Sequence, residues 1–130
     1  MAKGLPEGVS PQLIALARGL NDPSSELAWQ YPTILEVVAA LAARGDAILG
    51  GDVMYDVKGR GLDYYHDGVY CGNWGLDWKG KGAWADYVAE SVAVTVRYIE
   101  AYVQRNSDEY WFVPVFTDEE GYLALQADKA

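Results

Sequence analysis

Ala47-Ile48-Leu49-Gly50-Gly51-Asp52-Val53-Met54-Tyr55-Asp56-Val57 is the stretch whose reading decides the fold. Its apolar residues do not follow a helical period, and the run predicts a strand. Alternation puts Val53, Tyr55 and Val57 on one face, read as core, and Asp52, Met54 and Asp56 on the other, where two carboxylates collect. Gly50 and Gly51 inside the run mark a bulge or a close approach of another backbone. Lys58-Gly59-Arg60-Gly61 is a turn, and Leu62 to His66 reads as the returning strand, which completes a hairpin over residues 47–66.

Upstream of this hairpin the period changes. Ile34, Val37, Val38, Leu41 and Ala42 recur at helical spacing behind Pro32 and stop before Gly45, predicting a helix over 32–44. Ser10-Pro11 reads as an N-cap followed by a first-turn proline, and Leu13, Ile14, Leu16 and Ala17 extend that helix over 10–19. Downstream, residues 66–82 form a long loop punctuated by glycines yet carrying Tyr70, Trp74 and Trp78, with one short strand at Val69-Tyr70-Cys71. Loops of this length in a small domain are often functional. A long amphipathic helix over 83–104 follows, with Trp84, Tyr87, Val88, Ser91, Val92, Thr95, Ile99, Tyr102 and Val103 on one face. Tyr110 to Phe116 is a strand apolar on both sides, and Pro114 within it suggests an edge position or a bulge. Residues 1–9 and 118–130 are expected to be loosely ordered. The order of elements predicts one α+β domain over 1–130, a small, mostly antiparallel sheet packed against helices 10–19, 32–44 and 83–104.

The charge balance narrows the function. The 130 residues carry 10 Lys and Arg against 19 Asp and Glu, a net charge of −9. That argues against nucleic acid, whose phosphates require clustered cations, and against anionic membranes. It suits attraction of a basic protein. One Cys and one His exclude a disulfide framework and a Cys/His zinc site. The N-terminus has no apolar signal-peptide core, and with the lone Cys71 the expectation is a cytoplasmic protein.

Several chemical constellations can be tested on the sequence. Cys71 and His66 lie close together, but no orienting group or nucleophile elbow accompanies them. Asp52/Asp56 and Asp63/Asp67 are paired carboxylates, and Asp52, Asp56 and Asp67 could form an all-oxygen metal site, though their spacing matches no EF-hand loop. Gly50-Gly51 opens no helix and so cradles no phosphate. The expectation is no catalytic set, no metal and no cofactor. What remains is a mixture of Asp with Tyr64, Tyr65, Tyr70, Trp74 and Trp78. Tyr and Trp combine contact area with a polar tip, as interfaces demand.

Taken in order, four pieces are familiar: Leu27-Ala28-Trp29 before a helix, Ile48-Leu49-Gly50-Gly51-Asp52-Val53 opening a hairpin, Asn73-Trp74 after it, and Trp84 with Tyr87-Val88 on a helix reaching Tyr98-Ile99. With the aromatic strand Tyr110–Phe116, they resemble the immunity protein 40 family of bacterial polymorphic toxin systems over about Leu27 to Phe116. The resemblance implies a cytoplasmic, non-enzymatic protein that binds and neutralises a cognate contact-dependent or secreted toxin by stoichiometric inhibition. The toxin domain is expected to be basic, and the protein a monomer or weak dimer. Candidate contact residues are Asp52, Asp56, Asp63, Tyr65, Asp67, Tyr70, Trp74, Asp77 and Trp78, while Gly50, Gly51, Asn73 and Trp84 are structural motif positions. The alternative is a small-ligand-binding domain or small enzyme with an aromatic-lined pocket at the 66–82 loop.

Overall fold

The eleven residues Ala47–Val57 form the central strand of the computed structural model, which describes residues 9–20, 26–58, 60–78 and 82–129. Numbered along the chain, this strand is β3. The strands before it are β1 (Arg18–Gly19) and β2 (Leu27–Gln30). Those after it are β4 (Gly61–Asp63), β5 (Tyr65–His66), β6 (Val69–Tyr70), β7 (Asn73–Gly75) and β8 (Trp111–Thr117). The main sheet runs β1-β2-β8-β3-β4, every pairing antiparallel, and β7 shares the outer edge of β3 with β4. The helices are α1 (Pro11–Ala15), α2 (Thr33–Ala43), α3 (Trp84–Arg105) and α4 (Glu119–Lys129). The architecture is α+β.

Alternation along β3 explains the layering. Ile48 and Val53 meet Trp29 and Phe112 from neighbouring strands, and Ile34, Val38, Leu41 and Ile99 from α2 and α3 close over them. All are essentially inaccessible to water, and burying each such side chain contributes about 1.5–3 kcal/mol. The opposite face is partly packed as well. Met54, expected beside two solvated carboxylates, is buried with Ala28, Leu62 and Val113, and Leu20, Tyr64 and Trp111 pack around them. Asp52 is half-buried and Asp56 exposed at the margins of that patch.

The expected bulge is present: the β3–β8 register shifts between Ile48 and Gly50. Other expectations change. The first helix ends at Ala15 instead of residue 19, because Arg18 and Gly19 pair with Ala28 and Leu27 and leave Leu16 in water. Its predicted cap holds, with the Ser10 Oγ accepting the Leu13 N–H at 3.3 Å. The returning strand breaks at Tyr64, where the Asp63 Oδ1 accepts the Tyr65 N–H at 2.9 Å in an Asx-type turn. The 66–82 loop carries the β5–β6 hairpin and β7, while its residues 79–81 lie outside the described residues. β8 is interior at its start, between β2 and β3. The β2 pairing described covers Trp111 and Phe112, so Pro114 sits beyond it, opposite Gly51. Residues from 119, expected loose, wind into α4 because Tyr122 finds a buried seat and the Asp118 Oδ1 accepts the Gly121 N–H at 2.8 Å. Of the N-terminal segment, Val9 is buried and residues 1–8 lie outside the described residues.

Candidate functional site

The glycine pair of β3 draws β7 into close contact. A Cβ on Gly50 would overlap the Trp74 carbonyl, and one on Gly51 would overlap the Trp74 ring and the Val113 carbonyl. Trp74, opposite Gly51, therefore turns inward onto α3. Its Nε1 donates to the Thr95 Oγ1 at 2.9 Å, and its ring stacks on Tyr98 at 5.2 Å. The outward positions of the same pairing are Gly50 opposite Gly75 and Asp52 opposite Asn73. Two facing glycines leave a depression there, an open groove of about 400 Å³ bordered by Asp52, Asn73 and Val115. Desolvation pushes the Asp52 carboxyl above its ordinary value. The Asn73 Nδ2 donates to the Tyr70 hydroxyl at 3.1 Å.

Tyr70 belongs to the adjoining hairpin. Tyr65 pairs with Tyr70 and His66 with Val69 across the two-residue turn Asp67-Gly68. Both turn residues have positive φ, 54° and 79°, the mirror-image geometry that matches strand twist. Tyr65, Val69 and Tyr70 are 54%, 67% and 44% exposed, and the two tyrosine rings meet at 5.5 Å. His66 faces inward, stacked on Tyr55 at 3.6 Å, with its Nδ1 3.1 Å from the Tyr110 hydroxyl. Asp67 stands at the tip, its carboxylate 3.5 Å from the His66 Nε2 and its side chain 91% exposed.

The structure divides the candidate residues. Trp78 packs against Trp84, Tyr87 and Tyr122, with ring centroids 5.1 to 6.1 Å away. Trp74 and Trp78 thus brace the site from within instead of presenting their rings. Trp84 lies in the same cluster and its Nε1 donates to the Gly45 carbonyl at 2.8 Å. Asp77 is exposed. Asp56 is paired with Arg18 at 2.7 Å, and Arg18 lies over the Trp111 ring. Asp63 pairs with Tyr55 and Asp56 with Leu62, so these two carboxylates point to opposite faces of the sheet. Asp52, Asn73, Tyr70, Tyr65 and Asp67 are the residues that the fold gathers from groove to hairpin tip. Val69 and Gly75 were missed by sequence reasoning, although an Asp-Gly dipeptide between Tyr-bearing runs is a hairpin signal.

Burial, then the nearby Asp63 charge, push the Cys71 thiol above its ordinary value, away from the thiolate a nucleophile requires. Among the described residues, no group of three or more His, Cys, Asp and Glu is placed to hold a metal ion. No helix among them is long and apolar enough to cross a membrane. The shallow groove beside the hairpin, lined by His66, Tyr70, Tyr102, Arg105 and Tyr110, contains no carboxylate.

The domain is small and α+β, and its β5–β6 hairpin holds two tyrosine rings and the Asp67 carboxylate out to solvent. The Immunity protein 40 family model matches residues 17–116, from just before β1 to nearly the end of β8, and the chain belongs to that family of immunity proteins. Helices α1 and α4 lie outside the matched segment. No curated protein and no solved structure matches the chain.

Proposed function

We propose that this protein neutralises a cognate toxin domain of a polymorphic toxin system by stoichiometric binding, without catalysis, and that the β5–β6 hairpin is the centre of its contact surface. The observation that carries the reading is the hairpin itself, in a member of an immunity family. Tyr65, Val69 and Tyr70 remain in water on one two-stranded finger while the other aromatics of the 66–82 segment turn inward. Exposed aromatics of this kind become anchors once a partner desolvates them. Asp67 at the tip, with Asp52, Asp63 and Asp77, steers a basic surface and supplies acceptors to its Arg or Lys side chains. Asp56 is already engaged by Arg18, so its share is smaller. The protein acts in the cytoplasm against a toxin made by the same or a sibling cell, as a monomer or weak dimer.

Co-expression with the toxin encoded beside it tests the proposal. Survival of the cells and a one-to-one complex on gel filtration are expected. Continued killing with no complex overturns it. Within a complex, Asp67→Lys slows association at low ionic strength, and the difference shrinks as salt screens the charge. An unchanged on-rate would place the steering surface elsewhere.

A further inference from the structure

The groove over the Gly50–Gly75 pair, between Asp52, Asn73 and Val115, has a chemistry more specific than general acidity. Across β8, β3 and β7 two rows of residues project from this face. One is Val115, Gly50 and Gly75, and the other is Val113, Asp52 and Asn73. The first row has no side chain on two of its three positions, so the floor of the groove is flat backbone. The second row supplies a carboxylate and a carboxamide along one wall.

Asp52 is half-buried there, and among the described residues no hydrogen bond or ion pair engages its carboxylate. A partly desolvated carboxylate without a partner costs stability, and a cation brought to it recovers that cost. Asn73 is already held: its Nδ2 donates to the Tyr70 hydroxyl, and its Oδ1 is left as a second acceptor. The groove is bordered by Asp52, Asn73 and Val115, and none of its lining residues is cationic.

We infer that this groove is a seat for one arginine side chain of the partner, its planar guanidinium lying over the Gly50–Gly75 floor and donating to the Asp52 carboxylate and the Asn73 Oδ1. A flat floor and two acceptors side by side fit a planar fork of donors better than the compact ammonium of lysine. Tyr70 links the seat to the hairpin, because the same hydroxyl that orients Asn73 belongs to an exposed hairpin ring. The inference rests on the binding reading above and names the partner group that this part of the surface accepts.

Two variants and a small probe test it. Asp52→Asn removes the charge with no change of shape. Gly75→Leu fills the groove, and its backbone tolerates a side chain, since a Cβ there meets only the Leu49 carbonyl at 3.5 Å. With the toxin domain as ligand, each variant is expected to weaken binding by about thirtyfold, the range for hydrogen bonds to a charged group. Normal binding by both variants, with wild-type protein still forming the complex, overturns the arginine seat and leaves the immunity reading intact.

Titration of the wild-type protein with N-acetyl-arginine amide, followed by amide chemical shifts, gives a readout that needs no toxin. Shifts confined to Gly50, Asn73 and Gly75, absent in Asp52→Asn and weaker with N-acetyl-lysine amide, support the seat. No shift at these amides, or equal shifts with both probes, overturns it even where the toxin is never captured.

Discussion

Two groups of aromatic residues, Tyr65–Tyr70 on the hairpin and Trp78–Trp84–Tyr87–Tyr122 between α3 and α4, are alike in composition and opposite in fate. In the second group the polar tips find carbonyls inside the protein: Trp84 donates to Gly45, Tyr87 to Leu76 and Tyr122 to Trp78. In the first, Tyr65 and Tyr70 meet at a tilt, both exposed, and the Tyr70 hydroxyl serves a surface amide. Whether a Tyr or Trp is core or contact surface depends here on whether an acceptor lies within reach of its tip, not on the ring alone. In this protein the long helix supplies the wall and the chain around Leu76 and Trp78 supplies the acceptors, so one group is structure and the other is available for recognition.

The sharpest way to break that comparison is to delete a ring from each group. Trp84→Ala should cost about 3 kcal/mol of stability, because it removes a ring packed against three others and with it the hydrogen bond to the Gly45 carbonyl. Urea denaturation measures it, and a cost below half of that would mean the cluster is not one packed unit. A smaller effect follows from Tyr122→Phe, which keeps the ring and removes only the hydrogen bond to the Trp78 carbonyl at 2.9 Å. About 1 kcal/mol is expected by the same assay. Smallest of all, Tyr65→Ser should change stability by less than about 0.5 kcal/mol, since the residue supports nothing beneath it, while toxin affinity falls at least about tenfold. Loss of stability without loss of affinity there would return Tyr65 to the structural group.

A pH titration sharpens the contrast further. Desolvation, with smaller contributions from Tyr122, Asp77 and Glu90, raises the Tyr87 hydroxyl from 10.0 to about 12. A group whose pKa is raised by folding contributes stability that is complete below its unfolded value. That contribution disappears as pH climbs through the folded value, so stability should decline between about pH 10 and about pH 12. Tyr87→Phe should flatten this decline, and denaturation midpoints measured across the range would show it.

Much of the fold was legible because the two longest elements have strong periods. β3 was placed over the same residues as observed, and α3 differs from its expectation by one residue at each end. What failed were short pieces whose conformation is imposed by partners distant in sequence. Nothing in Leu27–Gln30 announces a strand until Trp111 and Phe112 lie beside it, and Arg18-Gly19 leaves its helix to pair with that strand in turn. α4 was hidden by Gly121 in its first turn, although Asp118 before two glutamates is a start signal that could have been read. The candidate site was half legible. Its carboxylates and hairpin aromatics were named, but Trp74 and Trp78 turn inward because Thr95, Tyr98 and Tyr87 lie on a helix that sequence spacing could not orient against them.

The divided edge of β3 has one more consequence. β7 covers Gly50 to Asp52, β4 covers Tyr55 to Val57, and between them the Val53 N–H reaches the Gly72 carbonyl at 3.0 Å. An eleven-residue apolar strand with an open edge would be a template on which further copies could stack in register. Two short patches and a single linking bond cover that edge. The same glycines that make room for β7 therefore also leave that stretch of the central strand paired within its own chain.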